Sequence, residues 1–128
     1  MHESGEMYLE TILILKNKNE YVRSIDIARQ LGFSKPSVSR GIGILKTDGY
    51  ITVNDKGYID LTDKGRERAN FIYEKHQILT EFLMNTASVT KEIAEGDACK
   101  IEHIISDEVF DGIKKFLNTE DKGAVTSK

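Results

Sequence analysis

The chain has 128 residues, of which 39% are hydrophobic and 30% are charged, and its formal net charge is −3. This composition argues against wholesale disorder, and the length suits one domain or two small subdomains. No apolar run approaches the roughly 20 residues of a membrane-spanning helix, and the acidic, polar start does not resemble a secretory signal. A single cysteine cannot form an internal disulfide, so we expect a cytoplasmic protein in a reducing compartment, with no membrane partner.

The first fifty residues predict three helices, of which the second and third are joined by a tight turn. "MYLETILILKNK" has apolar residues at helical spacing. Ser24 is a candidate N-cap of the second helix, and Gly32 ends that helix because glycine adopts the left-handed conformation without a Cβ clash. Ser34 is the expected N-cap of the third helix, and Pro36 fits in its first turn, where a missing N–H costs nothing.

The hydrophobic period then changes from that of a helix to that of a strand. Ile51 and Val53, followed by Ile59 and Leu61, alternate around the turn "NDKG", which predicts a hairpin of two short strands. A helix pair with a tight turn, followed by a hairpin, is typical of a winged helix-turn-helix.

The second half of the chain predicts further helices. One is capped by Thr62 or Asp63, one is expected to break near Gly96, and the last is capped by Ser106. The residues expected to face inward on the last helix are Val109, Ile113, Phe116 and Leu117.

These elements predict a mainly α fold. We expect an N-terminal winged helix-turn-helix domain over residues 1–63, followed by an all-helical domain over residues 64–118. Residues 119–128 have no apolar pattern and are expected to form a flexible tail. The C-terminal helices carry more apolar residues than one small core needs, so an interface between two copies is expected.

The third helix is the candidate DNA-reading element. Between residues 23 and 46 there are five basic residues and one acidic residue, although the chain is acidic overall. In a helix-turn-helix, the N-terminal residues of the second helix of the motif point into the major groove. Here the residues able to bond phosphates or base edges, or to contact thymine methyl groups, are Ser34, Lys35, Pro36, Ser37, Ser39 and Arg40. We expect double-stranded operator DNA as the partner, bound by a homodimer because two half-sites need two copies.

The only cysteine lies in a stretch that suits a metal ion. Cys99 is followed by Glu102 and His103 at offsets of three and four, and such positions share one face of a helix. One ion can then contact a thiolate, a carboxylate and an imidazole. Taken alone, these residues also fit an ordinary helix in which the cysteine is a small buried hydrophobe.

Three segments resemble a known family. "DACKIEHIISDEV" resembles the C-x-x-E-H-x-x-S-D-E-V signature of the iron-dependent repressors of the diphtheria-toxin-repressor type, whose close branch is the manganese transport regulators. "MYLETI" and "KHQILTEFL" are similar to segments of that family in the expected order, so the resemblance covers roughly residues 6 to 118.

The resemblance implies a ligand set. It implies a corepressor site formed by Met7, Cys99, Glu102 and His103. The candidate ligands of a second site are His76, Glu10 and Glu95. Thr80 stands where the iron branch has a glutamate, which puts a second site of the iron type in doubt.

The expected cofactor follows from the donor atoms. Sulfur donors at two positions favour a softer ion than Mn²⁺, so Fe²⁺ is expected first, with Mn²⁺ as the alternative and Co²⁺, Ni²⁺ or Zn²⁺ binding in vitro. The expected function is metal-dependent transcriptional regulation, namely repression of metal-uptake genes, in which the metal orders the dimer for operator binding.

Three other functions are considered for features of this sequence. Cys99 beside His103 also fits a metal-free thiol redox sensor, although no resolving cysteine is present in the sequence. A winged helix can also serve as a protein-interaction module. An enzyme is disfavoured because the cysteine and the histidine share one helix with no oxyanion element nearby, so neither catalytic residues nor a small-molecule substrate are expected.

Overall fold

The structure, a computed structural model, describes the backbone of residues 3–126 and the side chains of residues 4–118. The elements, in chain order, are helices α1 (Glu3–Lys18), α2 (Ser24–Leu31) and α3 (Lys35–Thr47), strands β1 (Ile51–Val53) and β2 (Ile59–Leu61), and helices α4 (Asp63–Ala87), α5 (Lys91–Ile101) and α6 (Asp107–Thr126). They divide into two compact units, Met1–Ile72 and Tyr73–Lys128, which we call the first unit and the second unit. The predicted mainly α fold class is confirmed. None of the described helices combines the length and the apolar content needed to cross a bilayer.

The core of the first unit is built from one face of each helix and from the inner face of the hairpin. Burying an aliphatic side chain of this kind stabilises a fold by about 1.5–3 kcal/mol. The buried apolar residues include Leu9, Ile12, Val22, Ile27, Val38, Ile42, Leu45, Ile51 and Ile59.

The turn between α2 and α3 follows the predicted chemistry, with one correction. Gly32 has φ 70° and ψ 28°, and its N–H donates to the carbonyl of Ala28 at 2.9 Å. Ser34 caps α3 by accepting from the N–H of Ser37 at 3.3 Å. The prediction that Ser24 caps α2 is wrong, because Ser24 is already helical and Arg23 is the N-cap.

An acidic side chain explains that correction. The N–H of Arg23 donates to the carboxylate of Asp26 at 2.9 Å. The carboxylate at the third helical position therefore satisfies the N-cap backbone, which is one half of a capping box. Asp26 also places negative charge in the first turn, where the helix dipole favours it.

The predicted hairpin is present and its register is set by its turn. Ile51 pairs with Leu61, and Val53 pairs with Ile59, in an antiparallel ladder. The side-chain oxygen of Asn54 accepts the N–H groups of Lys56 and Tyr58, both at 2.9 Å. Gly57 has φ 83°, a left-handed conformation that suits glycine.

α4 begins where predicted, and the first unit ends within it. Thr62 caps the helix by accepting from the N–H of Gly65 at 3.0 Å. Gly65 also packs closely on the hairpin, because a Cβ at this position would overlap the carbonyl oxygen of Tyr50. That oxygen already accepts the N–H of Thr62 at 3.1 Å.

Two expectations for the second unit are wrong. α5 runs through Gly96 without a break. On α6, Val109 and Phe116 were expected inside, but they are 53% and 43% exposed. Of the other two residues expected to face inward, Leu117 is buried and Ile113 is half-buried, and Phe110, two helical turns before Leu117, is buried as well.

The caps of the second unit are local, as in the first. Thr90 accepts from the N–H of Ile93 at 3.3 Å and begins α5. Ser106 accepts from the N–H of Val109 at 3.2 Å and begins α6, as predicted. The predicted flexible tail, residues 119–128, lies outside the residues whose side chains are described.

Gly65→Ala tests the close packing of α4 on the hairpin. The added methyl group displaces the Tyr50 carbonyl, so we expect the free energy of unfolding to fall by about 1–3 kcal/mol, as in other overpacked sites. Gly112→Ala is the matched control, because a Cβ there meets nothing within 4 Å and alanine favours a helix by about 1 kcal/mol over glycine. Urea unfolding followed by circular dichroism measures both, and equal stability of Gly65→Ala and the wild type contradicts the packing.

Candidate metal centre and nucleic-acid interface

A buried carboxylate lies between two imidazoles in the second unit. The Glu102 side chain is 0% exposed and that of His103 is 1% exposed. Nδ1 of His76 lies 2.7 Å from Oε1 of Glu102, and Nε2 of His103 lies 3.4 Å from Oε2. Among the described residues, Oε2 of Glu102 accepts no hydrogen bond. A buried carboxylate with spare acceptor capacity requires nearby positive charge.

Two helix segments position these groups. His76 follows Ala69 and Ile72 at helical spacing on α4, and its side chain is 18% exposed. α5 ends at Ile101, and Glu102 continues the helical turn with φ −59° and ψ −25°, its N–H donating to the carbonyl of Ala98 at 2.9 Å. The end of α5 therefore carries Glu102 into the interior.

The proton affinity of His76 reflects this environment. The hydrogen bond to the Glu102 carboxylate raises the pKa of His76 above 6.5, burial opposes the rise, and the charges of Glu102 and Glu95 add to it. Nε2 of His76 lies 3.9 Å from Oε2 of Glu95. When the imidazole is neutral and Nδ1–H donates to Glu102, Nε2 carries the lone pair that a metal needs.

Thr80, which stands where a glutamate ligand was expected, is not placed like His76. Its hydroxyl donates to the carbonyl of His76 at 2.8 Å, so it is satisfied by its own helix. The threonine that replaces the expected glutamate therefore contributes a helix contact.

The remaining candidate ligands lie in different surroundings. The thiol-bearing residue Cys99, on α5, is exposed. Met7 and Glu10 belong to α1 in the first unit, where Met7 is half-buried and Glu10 is buried.

A further carboxylate on α1 was not singled out from the sequence. Glu6, one turn before Glu10, is buried and forms an ion pair with Arg68 of α4 inside the first unit. The guanidinium of Arg68 also lies 5.8 Å from the ring centroid of Phe71. Glu6 and Glu10 lie four residues apart on α1, on the same side as the buried Leu9 and Leu13, and this spacing was the available signal for a buried carboxylate.

The donor set of the second unit fits a divalent transition metal. It offers imidazole nitrogens, carboxylate oxygens and one thiol, which are the ligands of Fe²⁺, Mn²⁺ and Zn²⁺ sites. The buried Oε2 atom of Glu102, which accepts no hydrogen bond in the described part of the chain, supports this fit.

The first unit presents the predicted DNA-reading residues at the start of α3. Ser34, Lys35, Pro36, Ser39 and Arg40 are exposed, and Ser37 is half-buried. A cleft of about 220 Å³ lies beside them, lined by Ser24, Ile25, Lys35 and Ser39. The N-terminal ends of α2 and α3 therefore meet at one surface, where hydroxyl and ammonium donors are available to phosphates.

The hairpin adds a second group of cations to this unit. Lys56 is exposed at the turn. The guanidinium of Arg23 lies 4.7 Å from the ring centroid of Tyr58, which stacks on Tyr21 with centroids 4.4 Å apart. Stacking holds the Arg23 charge in place at the surface.

Glu102→Gln tests the coupling inside the candidate metal centre. In metal-free protein we expect the pKa of His76 to fall, because the amide carries no negative charge. The sign for stability follows from the raised pKa of His76: the pair stabilises the fold fully below pH 6.5 and loses this contribution as the pH rises through the raised value. NMR titration of the His76 ring measures this fall in pKa. Glu95→Gln is expected to lower the pKa of His76 less, because the Glu95 carboxylate lies farther from the ring than that of Glu102. If Glu102→Gln leaves the pKa of His76 unchanged, the hydrogen bond to Glu102 is not the cause of the raised value.

Sequence profiles and relatives place the chain among known proteins. Residues 1–59 match the family described as "Iron dependent repressor, N-terminal DNA binding domain", and residues 62–122 match "Iron dependent repressor, metal binding and dimerisation domain". An uncharacterized HTH-type transcriptional regulator of Methanocaldococcus jannaschii is 33% identical over 118 residues, covering 91% of this chain and 94% of that protein.

Relatives with described functions differ in metal and in length. The iron-dependent repressor IdeR of Mycobacterium tuberculosis is 31% identical, covering 91% of this chain and 50% of its own length. The transcriptional regulator MntR of Escherichia coli is 35% identical, with 91% and 74% covered. This chain thus spans about half the length of IdeR.

A solved structure agrees with the fold and the family. The manganese regulator SloR superposes with a TM-score of 0.79 at 31% identity, covering 89% of this chain and 53% of that chain. Both family profiles, together with relatives above 30% identity, establish the conclusion: this chain belongs to the iron-dependent repressor family of metal-dependent transcriptional regulators.

Proposed function

We propose that this protein is an Fe²⁺-dependent transcriptional repressor of metal-uptake genes, which binds operator DNA as a homodimer. The observation that carries the proposal is the buried Glu102 carboxylate between His76 and His103, in a chain that also exposes five of the six predicted DNA-reading residues at the start of α3. Mn²⁺ is the alternative metal.

The ligand set is proposed in two parts. We assign Glu102, His103 and Cys99 of the second unit and Met7 of α1 to one site. His76, Glu95 and Glu10 are the candidate ligands of a second site. Support comes from the distances around Glu102, from the buried carboxylate of Glu10, and from the resemblance of the Cys99–His103 stretch to the family signature.

Donor chemistry favours Fe²⁺ over Mn²⁺, although both remain within the family's range. A bound divalent cation supplies the positive charge that the Glu102 carboxylate requires. The thiolate of Cys99 and the thioether of Met7 are soft donors, which select later ions than Mn²⁺. Relatives include the iron-dependent repressor IdeR and the manganese regulator SloR. Co²⁺, Ni²⁺ and Zn²⁺ are expected to bind in vitro.

Metal affinity and DNA affinity are coupled in this proposal. α1 belongs to the DNA-binding unit, and its proposed ligands, Met7 and Glu10, join it to the ligands of the second unit. Holding α1 in one conformation removes an ordering cost that operator binding otherwise carries. A coupling of about 1–3 kcal/mol, typical of allostery, corresponds to roughly 5- to 150-fold, and DNA must tighten metal by the same factor.

The roles on the DNA side follow from side-chain chemistry. Arg40 is proposed to bond a guanine edge or a phosphate, and Lys35 to neutralise a phosphate. Ser34, Ser37 and Ser39 donate to phosphates or base edges, and Pro36 offers apolar surface. Dimerisation through the second unit is supported by its exposed apolar side chains, which include Ile93, Ile104, Val109 and Phe116.

One observation favours a second candidate function, a thiol redox sensor. Cys99 is exposed on α5, as a peroxide-reactive cysteine must be. A redox sensor responds to peroxide in metal-free buffer, whereas the proposed repressor responds to metal in reducing buffer.

His103→Ala tests the metal site. We expect this variant to stay folded and to lose most of the metal-stimulated increase in operator affinity, because an imidazole donor is gone. Operator duplexes are selected from a random library with wild-type protein, and binding is followed by fluorescence anisotropy with and without Fe²⁺ under anaerobic conditions. Glu74→Gln, an exposed carboxylate on α4 paired with Lys114, is the control and keeps the full response.

Cys99→Ala tests whether Fe²⁺ or Mn²⁺ is the preferred metal, and whether the protein is a metal-dependent repressor or a redox sensor. Losing the thiolate is expected to weaken the response to Fe²⁺ more than the response to Mn²⁺. An Fe²⁺ response equal to that of the wild type removes Cys99 from the ligand set. Wild-type binding that is abolished by peroxide in metal-free buffer, with Cys99→Ala resistant, favours the redox sensor.

Arg40→Ala tests the DNA-reading surface. We expect operator binding to weaken by about 1–3 kcal/mol per half-site, while metal affinity measured by calorimetry without DNA is unchanged. Arg66→Ala removes the same charge from an exposed position of α4 and serves as the control. Equal losses in both variants contradict a specific role for Arg40.

A further inference from the structure

The exposed face of α3 continues beyond the residues already assigned to DNA. Gly43, Ile44 and Thr47 are all exposed, and on an ideal helix they lie within roughly 60° of Arg40. Val38, Ile42 and Leu45 occupy the opposite, buried face. The surface that begins with Pro36 and Arg40 therefore extends over a further two turns.

Two glycines on α3 have different explanations. At Gly41 a Cβ would overlap the ring of Tyr8, so this glycine is required by packing. At Gly43 a Cβ meets nothing within 4 Å. Glycine in a helix interior is unfavourable by about 1 kcal/mol relative to alanine, and the described residues around Gly43 give no packing reason for it.

Ile44 is the second feature that the fold leaves unexplained. It is 59% exposed on a helix whose other large aliphatic residues are buried. With Gly43 it lines a shallow concavity of about 610 Å³, together with Arg40, Thr47 and Asp48. A concave, largely apolar surface beside a cation fits a base edge better than it fits phosphate oxygens.

We propose that Ile44 reads sequence by contacting the 5-methyl group of a thymine in the major groove, and that Gly43 allows α3 to approach the base closely enough for this contact. The inference rests on the proposed function, since it takes duplex DNA as the occupant. Continuity with Arg40 on the same helix face supports that occupant. The major groove displays thymine methyl groups, and an apolar side chain recognises them without a hydrogen bond.

A double-mutant cycle tests the contact: the Ile44 side chain and the thymine methyl group are removed separately and together, and the losses in operator affinity are compared. Each thymine of the selected operator is replaced in turn, in both half-sites, by deoxyuridine, which lacks only the methyl group. With wild-type protein, one replacement is expected to weaken binding about fourfold per half-site, which is the contribution of one buried methyl-sized group. Ile44→Ala is expected to weaken binding to the normal operator, and to show no further loss on that deoxyuridine duplex.

The outcomes separate the inference from the proposed function. If the wild type selects no operator or shows no metal stimulation, the proposed function fails. If the wild type binds but Ile44→Ala loses the same factor on thymine and deoxyuridine duplexes, the contact is with the backbone or with another protein and the inference is overturned. Full affinity of Ile44→Ala also overturns it.

Gly43→Ala tests the close approach. We expect a higher thermal midpoint of unfolding, because alanine favours the helix, and operator affinity about tenfold lower, because the added methyl group occupies space needed by the DNA. Gly112→Ala, in equally open surroundings on α6, is expected to raise the midpoint without changing operator affinity. Unchanged operator affinity of Gly43→Ala overturns this part of the inference.

Discussion

The second unit depends on how one buried negative charge is compensated. The Glu102 side chain is fully buried, with His76 at 2.7 Å and His103 at 3.4 Å from its two oxygens. A buried carboxylate is costly unless a positive group balances it. In the metal-free protein the hydrogen bond to Glu102 raises the pKa of His76, so a proton supplies part of that balance. The proposed divalent cation is a stronger form of the same compensation.

In the first unit, the core and the helix caps determine which face of α3 is exposed. Its apolar core fixes α3 through Val38, Ile42 and Leu45, while caps at Arg23 and Ser34 set where α2 and α3 begin. The exposed face of α3 then carries hydroxyl and cationic side chains at its N-terminal end, and the small Gly43 and the apolar Ile44 further along. The two family profiles that the chain matches describe a DNA-binding domain and a metal-binding and dimerisation domain.

Sequence reasoning succeeded where local chemistry decides the structure. Gly32, Ser34 and Thr62 behave as predicted because caps and left-handed glycines depend on neighbours within a few residues. On α6 the helix period was right for Leu117 and wrong for Val109 and Phe116, which are exposed, since tertiary packing decides which part of an apolar face is buried.

In the candidate metal centre, too, the sequence indicates local features but not the contacts between distant positions. The spacing of Cys99, Glu102 and His103 predicted one shared helix face, but α5 ends at Ile101, and Cys99 is exposed whereas Glu102 is fully buried. The partnership of Glu102 with His76 joins positions 26 residues apart, and only the resemblance pointed to His76. The exposure of Cys99 and the open surroundings of Gly43 depend on what packs nearby, and no periodicity in the sequence encodes that.

We propose that the carboxylate of Glu102 couples metal binding to DNA binding. The most direct measurement is operator binding by Glu102→Gln, followed by anisotropy during an anaerobic Fe²⁺ titration, with circular dichroism to verify the fold. We expect a folded protein whose weak, metal-free operator affinity is no longer increased by the ion. A folded Glu102→Gln variant with the full metal-stimulated increase would show that this carboxylate does not couple the two.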